Sequence, residues 1–286
     1  MSPSVRDLAE LVRLPAALTV PGDSLSGAVA AGHPLGRRGA LMPAASICLY
    51  WAGMALNDFA DRDVDAGERP ERPIPSGRVR PGQALGLAAG LTVAGLGLAT
   101  VSAGPRVLPL AASLGGVVWA YDLALKDTPA GPVAMAAARG LDVLLGAAGA
   151  RAAFVPAALL GAHTAGVTVL SRGEVHGSTS ATASAVTAGT VAVALAAAAA
   201  PRVGKVPALS AAVMAGVYAW TVGRAQGRAV SNPDAGTVRT ATGAGIRGMI
   251  PLQAALTARG GAPVAGLGLL AMGPVAKAAA RVVSPT

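Results

Sequence analysis

Stretches of about twenty apolar residues follow one another along this chain from end to end, each close to the length a helix needs to cross the hydrocarbon core of a bilayer. They fall near residues 12–32, 38–58, 82–103, 105–125, 131–150, 153–171, 181–200, 206–227, 240–258 and 262–280. Lipid offers no partner to backbone N–H and C=O groups, so such segments must bond internally, as helices. Only 13% of the residues are charged, against about 25% in a soluble domain. The ninth stretch, TATGAGIRGMIPLQAALTA, is the weakest because Arg247, Pro251 and Gln253 interrupt it. The expectation is therefore an all-α polytopic membrane bundle. Nine or ten transmembrane helices would surround a central cavity, in a single domain over residues 1–286. The 38 glycines suit helices that approach closely in lipid, and Gly-Pro joints such as SAGPR, TPAGP and ARGGAP separate them.

The net charge of +9 would suggest nucleic acid in a soluble protein. In a polytopic chain, loop orientation and anionic membrane lipids explain it better, and no nucleic-acid partner is expected. With the N-terminus inside, Arg62–Arg80, Lys126, Arg172 and Arg224–Arg239 lie on the same, cytoplasmic side. Arg37, Arg38, Arg106, Arg151, Arg202, Lys205 and Arg259 fall opposite. Apart from Asp23 and Asp142, every acid belongs to the first side. This predicts a multi-pass protein of the cell membrane whose site opens to the cytoplasm. The N-terminal MSPSVRDLAELVR lacks the apolar core of a cleaved signal. The single cysteine, Cys48, excludes a disulfide framework and is expected as a small buried hydrophobe.

Against that apolar background, NDFADRDVDAGERPERPIPSGRVR, from Asn57 to Arg80, packs four aspartates, two glutamates and five arginines between two spans. At about 100° per residue, Asn57, Asp58, Asp61 and Asp65 share one arc of a helix while Asp63 points away. Crowded carboxylates repel unless a cation joins them. Mg²⁺ takes oxygen ligands, usually one or two carboxylates plus substrate phosphates, and the arginines downstream suit phosphate oxygens. A solvated connector is the plain alternative.

The run NDxxDxxxD followed by RPERPIPSG resembles the first signature of the UbiA superfamily of intramembrane prenyltransferases. That resemblance implies Mg²⁺ held by Asn57, Asp58, Asp61 and Asp65, with Arg72 and Arg78 near the diphosphate of an isoprenyl donor. YDLALKD is similar to the family's YxxxxK element, which implies Lys126 on diphosphate with Tyr121 beside it. Taken alone, Lys126 also reads as a helix-end lysine reaching for the interface. A second aspartate-rich motif is usual in the family. Here LSRGEVHGSTSAT offers Glu174 as its one acid, beside Arg172 and His176. Arg172 would then grip diphosphate in place of a second metal. This element resembles a bacterial, EboC-like branch of the superfamily.

Three further ionisable groups lie inside spans, where charges are costly and mark function by default. Arg139 and Asp142 sit three residues apart, as a substrate contact or an internal ion pair. Asp23 follows the Pro21-Gly22 break, where it would act as general base on an acceptor or cap the second half-helix. His163 reads as a helix–helix hydrogen bonder. The expected catalytic set is thus Asp58, Asp61, Lys126 and Asp23. The expected activity is Mg²⁺-dependent transfer of an isoprenyl group to a small polar or aromatic acceptor. A terpene cyclase on the same scaffold and a non-catalytic lipid-phosphate binder or transporter are the alternatives. Two Phe, three Tyr and three Trp leave few rings to steer a cyclising cation.

Overall fold

The computed structural model describes residues 3–33, 40–199 and 204–283, and within them the chain is all-helical, with no strand. Arg37, Arg38 and Arg202, expected opposite the cytoplasmic side, lie outside the described residues. A capped amphipathic helix, α1 (Val5–Leu11), opens the fold, its Ser4 and Asp7 side chains bonding each other's backbone N–H. A 3-10 turn (Leu14–Thr19) leads to α2 (Pro21–Ala30). The first apolar stretch is thus two short pieces, because Pro21 cannot donate into a helix begun before it. Then come α3 (Leu41–Ala60), α4 (Arg62–Glu68), α5 (Pro81–Ala103) and α6 (Leu108–Ala120), the last running into a π turn at Tyr121–Leu125. The remainder is α7 (Gly131–Gly146), α8 (Phe154–Ser171), α9 (Ser180–Ala198), α10 (Lys205–Ser231), α11 (Ala235–Arg259) and α12 (Pro263–Val283). Short joints make neighbours antiparallel, and the most extensive packing is between α10 and α11 and between α3 and α5.

Among the described residues, five segments are long and apolar enough to cross a membrane: Pro81–Ala103, Pro105–Leu125, Arg151–Ser171, Ser180–Ala198 and Lys205–Ser231. The other expected spans are shorter or carry polar groups, so length and composition do not by themselves give nine or ten. Large apolar side chains stand exposed on these outer helices, among them Val93, Val191, Leu195, Val213 and Trp220. Such a surface suits contact with lipid. Cys48 is half-buried on α3 rather than enclosed.

The polar interruptions of the ninth stretch have the opposite meaning to a loop. Every residue from Gly248 to Ala258 of α11 is buried, making it the central helix. Gln253 donates from Nε2 to Thr19 O and Asp23 Oδ1, both at 2.7 Å. Gln253 and Thr257 thus lie inward, where partners exist, alongside apolar Leu252 and Leu256.

Five segments meet at one end of the bundle. Arg78 ties the turn after α4 to α1, and Lys126 ties the π turn to Asp61. Arg172 after α8 donates to Thr128 O after the π turn, and Ser178 N donates to Pro233 O between α10 and α11 at 2.8 Å. The acid-rich segments picked out in the sequence therefore form one face.

Small residues set the distance between α2 and α7. A Cβ on Gly146 would run into the backbone of Ser24, and one on Gly27 into Val143 O. Dispersion at close range holds helices together where lipid removes the hydrophobic drive. We expect Gly146→Ala to destabilise the fold by about 1–3 kcal/mol through overpacking, read as a lower melting temperature in detergent. Gly90→Ala on α5, where a Cβ meets nothing, should leave it unchanged.

Candidate functional site

The C-terminal turn of α3 and the short α4 behave as one helix broken at Asp61, whose φ of −88° and ψ of 1° leave the α region. The break keeps the four expected groups together. Asp58 and Asp65 are buried, while Asp63, off the shared arc, is 85% exposed. Arg72 sets one guanidinium nitrogen between two of them, 2.5 Å from Asp65 Oδ2 and 3.5 Å from Asp58 Oδ1. Arg69 adds a looser contact to Asp65 at 3.7 Å. Asn57 Nδ2 donates to Asp61 Oδ2 at 3.1 Å, and the Lys126 ammonium pairs with Asp61.

Lys126 reaches Asp61 because of the π turn. Its N–H bonds Tyr121 O five residues back, at 2.9 Å, and such widened turns recur at functional sites. The same turn directs Tyr121 and the buried Asp122 at the cavity, with Asp122 facing Gly53 of α3.

Arg13 completes the cluster. It sits at the joint after α1 with φ of 49°, a left-handed conformation uncommon for a non-glycine residue. Its Nη2 lies 3.2 Å from Asn57 Oδ1 and 3.0 Å from Asp58 Oδ1. Four acids at a membrane face would repel; three arginines and a lysine make the arrangement stable. Two guanidinium nitrogens occupy positions between pairs of oxygens, which marks where this site needs positive charge.

Behind the cluster a cavity of 1390 Å³ runs into the bundle. Arg13, Asn57, Tyr121, Asp122, Ser171 and Glu174 line its mouth. Leu49, Gly53, Met54, Leu114, Val118 and Ala138 form an apolar wall beyond. Ser46, Arg139 and Asp142 lie deeper.

The remaining expected residues separate. Arg139 and Asp142 do not pair with each other: Arg139 is bonded to Asp23, and Asp142 accepts from Ser46 Oγ at 2.5 Å. Asp23 does not line the cavity. It is fully buried with Oδ2 on Arg139 and Oδ1 on Gln253, and it makes no cap bond in α2. Its geometry is that of a buried counter-ion, since both oxygens are already engaged. Arg172 stands at the rim on Thr128 O, with Glu174 inside the mouth. His163 bonds Gly245 O at 3.0 Å and Tyr218 OH at 2.9 Å, joining three helices.

Arg78 turns away from the carboxylate cluster. It donates to Asp7 at 2.7 Å, to both oxygens of Glu10 at 2.9 and 3.0 Å, and to Glu71 O at 2.6 Å. Glu10 above all, then Asp7, holds the guanidinium's pKa above its ordinary value. Bonds from Ser4, then from Arg78, hold Asp7 down at about 2. A depressed carboxylate contributes its stability above its unfolded pKa, near 3.8, and loses it as pH falls through about 2. We expect hydrogen exchange in residues 5–11, corrected for intrinsic rate, to rise over that window. In Arg78→Ala it should already be high at pH 7.

Comparison with known proteins bears on the family and the fold. The model of the UbiA prenyltransferase family matches residues 24–227. Among curated relatives, digeranylgeranylglyceryl phosphate synthase of Methanopyrus kandleri is 40% identical over 103 residues, 36% of this chain and 38% of that protein. The same-named protein of Halobacterium salinarum is 34% identical over 148 residues, 50% of this chain and 52% of the relative. Protoheme IX farnesyltransferase of Alkalilimnicola ehrlichii is 43% identical over 96 residues, 32% of each. The chain thus matches about half or less of the length of these relatives. Among solved structures, a UbiA homologue from Aeropyrum pernix superposes with a TM-score of 0.68 at 20% identity, over 84% of this chain and 96% of that one. A UbiA homologue from Archaeoglobus fulgidus bound to DMAPP and Mg²⁺ gives 0.64 at 13% identity, over 91% and 99%; at these identities the likeness is one of fold. The family match over most of its length places the chain in the UbiA prenyltransferase family.

Proposed function

We propose that the protein transfers an isoprenyl group from an isoprenyl diphosphate to a small polar acceptor inside the membrane, with Mg²⁺ as cofactor. The observation that carries this is the acid cluster with interposed arginines at the mouth of a deep, apolar cavity. Asp58, Asp61, Asp65 and Asn57 offer only hard oxygen donors, the kind Mg²⁺ takes. Among the described residues no three carboxylates converge on one point. Mg²⁺ is commonly held by one or two carboxylates with phosphates completing its shell, so the set fits. The ion would supply positive charge to the phosphate oxygens as the leaving group departs.

The chain's own residues do the rest. Arg72, Arg13 and Lys126 share the mouth with the carboxylates and neutralise the diphosphate as its charge grows, an effect strongest away from water. Arg172 at the rim adds a further donor, and Arg78 acts at a distance by fixing the turn that carries Arg72. The tail lies along Leu49, Gly53, Leu114 and Val118, which exclude water from the reacting carbon. The C1–O bond breaks with its electron pair on the diphosphate, and the acceptor's nucleophile bonds to C1. The acceptor's proton passes to Asp122, a buried carboxylate lining the cavity at this end beside the apolar wall. Of aromatic side chains, Tyr50 and Tyr121 line the cavity; so few rings favour transfer over cyclisation.

The more polar helices α3 and α11, the shorter α7, the α2 segment and α12 would complete a bundle of nine or ten crossings, with the acid face toward the cytoplasm. The relatives named for glyceryl phosphate and haem products indicate an acceptor of small polar or amphiphilic character.

The test is diphosphate release from farnesyl diphosphate by the purified protein, with and without Mg²⁺. Asp58→Ala and Asp61→Ala should each lower the Mg²⁺-dependent rate by roughly 10²-fold or more. Unchanged rates in both variants, with folding intact, would overturn the proposal.

A further inference from the structure

The acid-rich end of the bundle carries basic side chains of two kinds. Arg13, Arg62, Arg69, Arg72, Arg78 and Lys126 each pair with a carboxylate. Arg224 and Arg228, in the last two turns of α10, are exposed and have no such partner among the described residues. They stand four residues apart, so they are neighbours on the helix surface, where like charges cost stability. Asp234, at the joint to α11, does not relieve them. Its Oδ1 accepts from Gly236 N at 2.8 Å and Thr237 N at 3.0 Å, and its Oδ2 from Thr237 Oγ1 at 2.6 Å.

The two arginines line a pocket of 540 Å³ with Gly227, Ser231, Asn232 and Thr237. Gly227 leaves it open, since a Cβ there would meet nothing within 4 Å. The pocket spans the joint, with most of its wall from α10 and Thr237 from α11. Two guanidinium groups one helical turn apart, with amide and hydroxyl groups beside them, are a donor set for phosphate oxygens.

The face of α10 leading to the pocket indicates the source of that phosphate. Arg224 lies over the ring of Trp220, 5.7 Å from its centroid, and Trp220 is 69% exposed. Val213 and Leu209 continue the same exposed stripe, seven and eleven residues before Trp220, about 10 and 16 Å along the helix. One leaflet of hydrocarbon is about 15 Å deep, half the bilayer core. The stripe is thus apolar over one leaflet, aromatic at its edge and basic beyond. That is the order of tail, glycerol and phosphate in a phospholipid.

We infer that this corner binds one anionic phospholipid, its phosphate between Arg224 and Arg228 and its tails along Leu209 and Val213. The headgroup bridges α10 to the first turn of α11 and fixes their joint, to which Ser178 is also bonded. This lipid is a structural ligand and takes no part in transfer. The cavity opens about 10 Å deeper on the flank, where Val217 and Ile246 line it yet are 43% and 52% exposed. Leu270 and Gly273 of α12 line it too, and no residue lines both cavity and pocket. The inference therefore stands apart from the proposed reaction.

The experiment counts lipids bound to the full chain by native mass spectrometry in detergent and reads the melting temperature. The probes are phosphatidylglycerol, zwitterionic phosphatidylcholine and inorganic phosphate. One phosphatidylglycerol should bind roughly tenfold more tightly than phosphatidylcholine and raise the melting temperature; inorganic phosphate should not raise it. Arg224→Gln combined with Arg228→Gln should lose the preference, and Arg106→Gln at the opposite end should keep it. Gly227→Leu retains every charge but fills the pocket, so it should weaken binding several-fold with the fold intact. That variant decides the matter if the double glutamine variant does not fold. Equal binding of phosphatidylcholine, stabilisation by inorganic phosphate alone, or an unchanged preference in either folded pocket variant would sink the inference.

Discussion

Negative charge packed at the end of a membrane helix is the constraint around which this molecule is built. Asp58 and Asp65 are buried beside each other, with Asp61 and Asp122 close by, and like charges at that spacing are unstable alone. The fold answers by bringing cations from three separate parts of the chain. Arg13 comes from the joint before α2, Arg72 from the turn after α4, and Lys126 from the π turn after α6. Each sits on irregular backbone: a left-handed residue, a proline-rich turn, a widened helical turn. Regular helix gives the membrane its walls, and departures from it point the charges.

The interior follows the same logic at a second level. Asp23 on α2, Arg139 on α7 and Gln253 on α11 form one bonded group, so three helices from distant parts of the sequence meet over a buried ion pair. Removing one member would leave a charge without its partner, a loss of about 3–5 kcal/mol in buried pairs. The group is structural in what it touches, yet Arg139 also shows itself to the cavity. His163 performs a similar service between α8, α10 and α11 without charge.

Much of this was legible in the sequence. The run from Asn57 to Arg72 was readable because its helical spacing and its composition agree, and the structure groups the same residues. The all-helical character followed from segment length. Four features escaped for definite reasons. Arg13 stands two residues before Pro15 and carries no periodic signal, and its importance depends on a backbone angle. Asp122 stands in the same short element as Lys126, but the π turn changes which residues share a face, and no count at 100° per residue anticipates that. From sequence alone, Asp23 and Asp142 read as partners of function or of a near neighbour in sequence. Their actual partners, Arg139 with Gln253 and Ser46, come from helices whose packing no single segment encodes. The ninth stretch reads as the weakest span for its polarity, although polarity in a membrane chain marks the centre as readily as the loop.

The depth of the cavity has an architectural consequence. Ser46 and Asn57 stand eleven residues apart on α3, so the polar groups at the far end lie about 16 Å from the mouth. Ser46, Asp142 and Arg139 make that far end a hydrophilic floor, unwelcoming to hydrocarbon. A tail shorter than this fits upright, and a longer one must bend toward the open flank beside α10 and α12. The chain thus carries its own ruler.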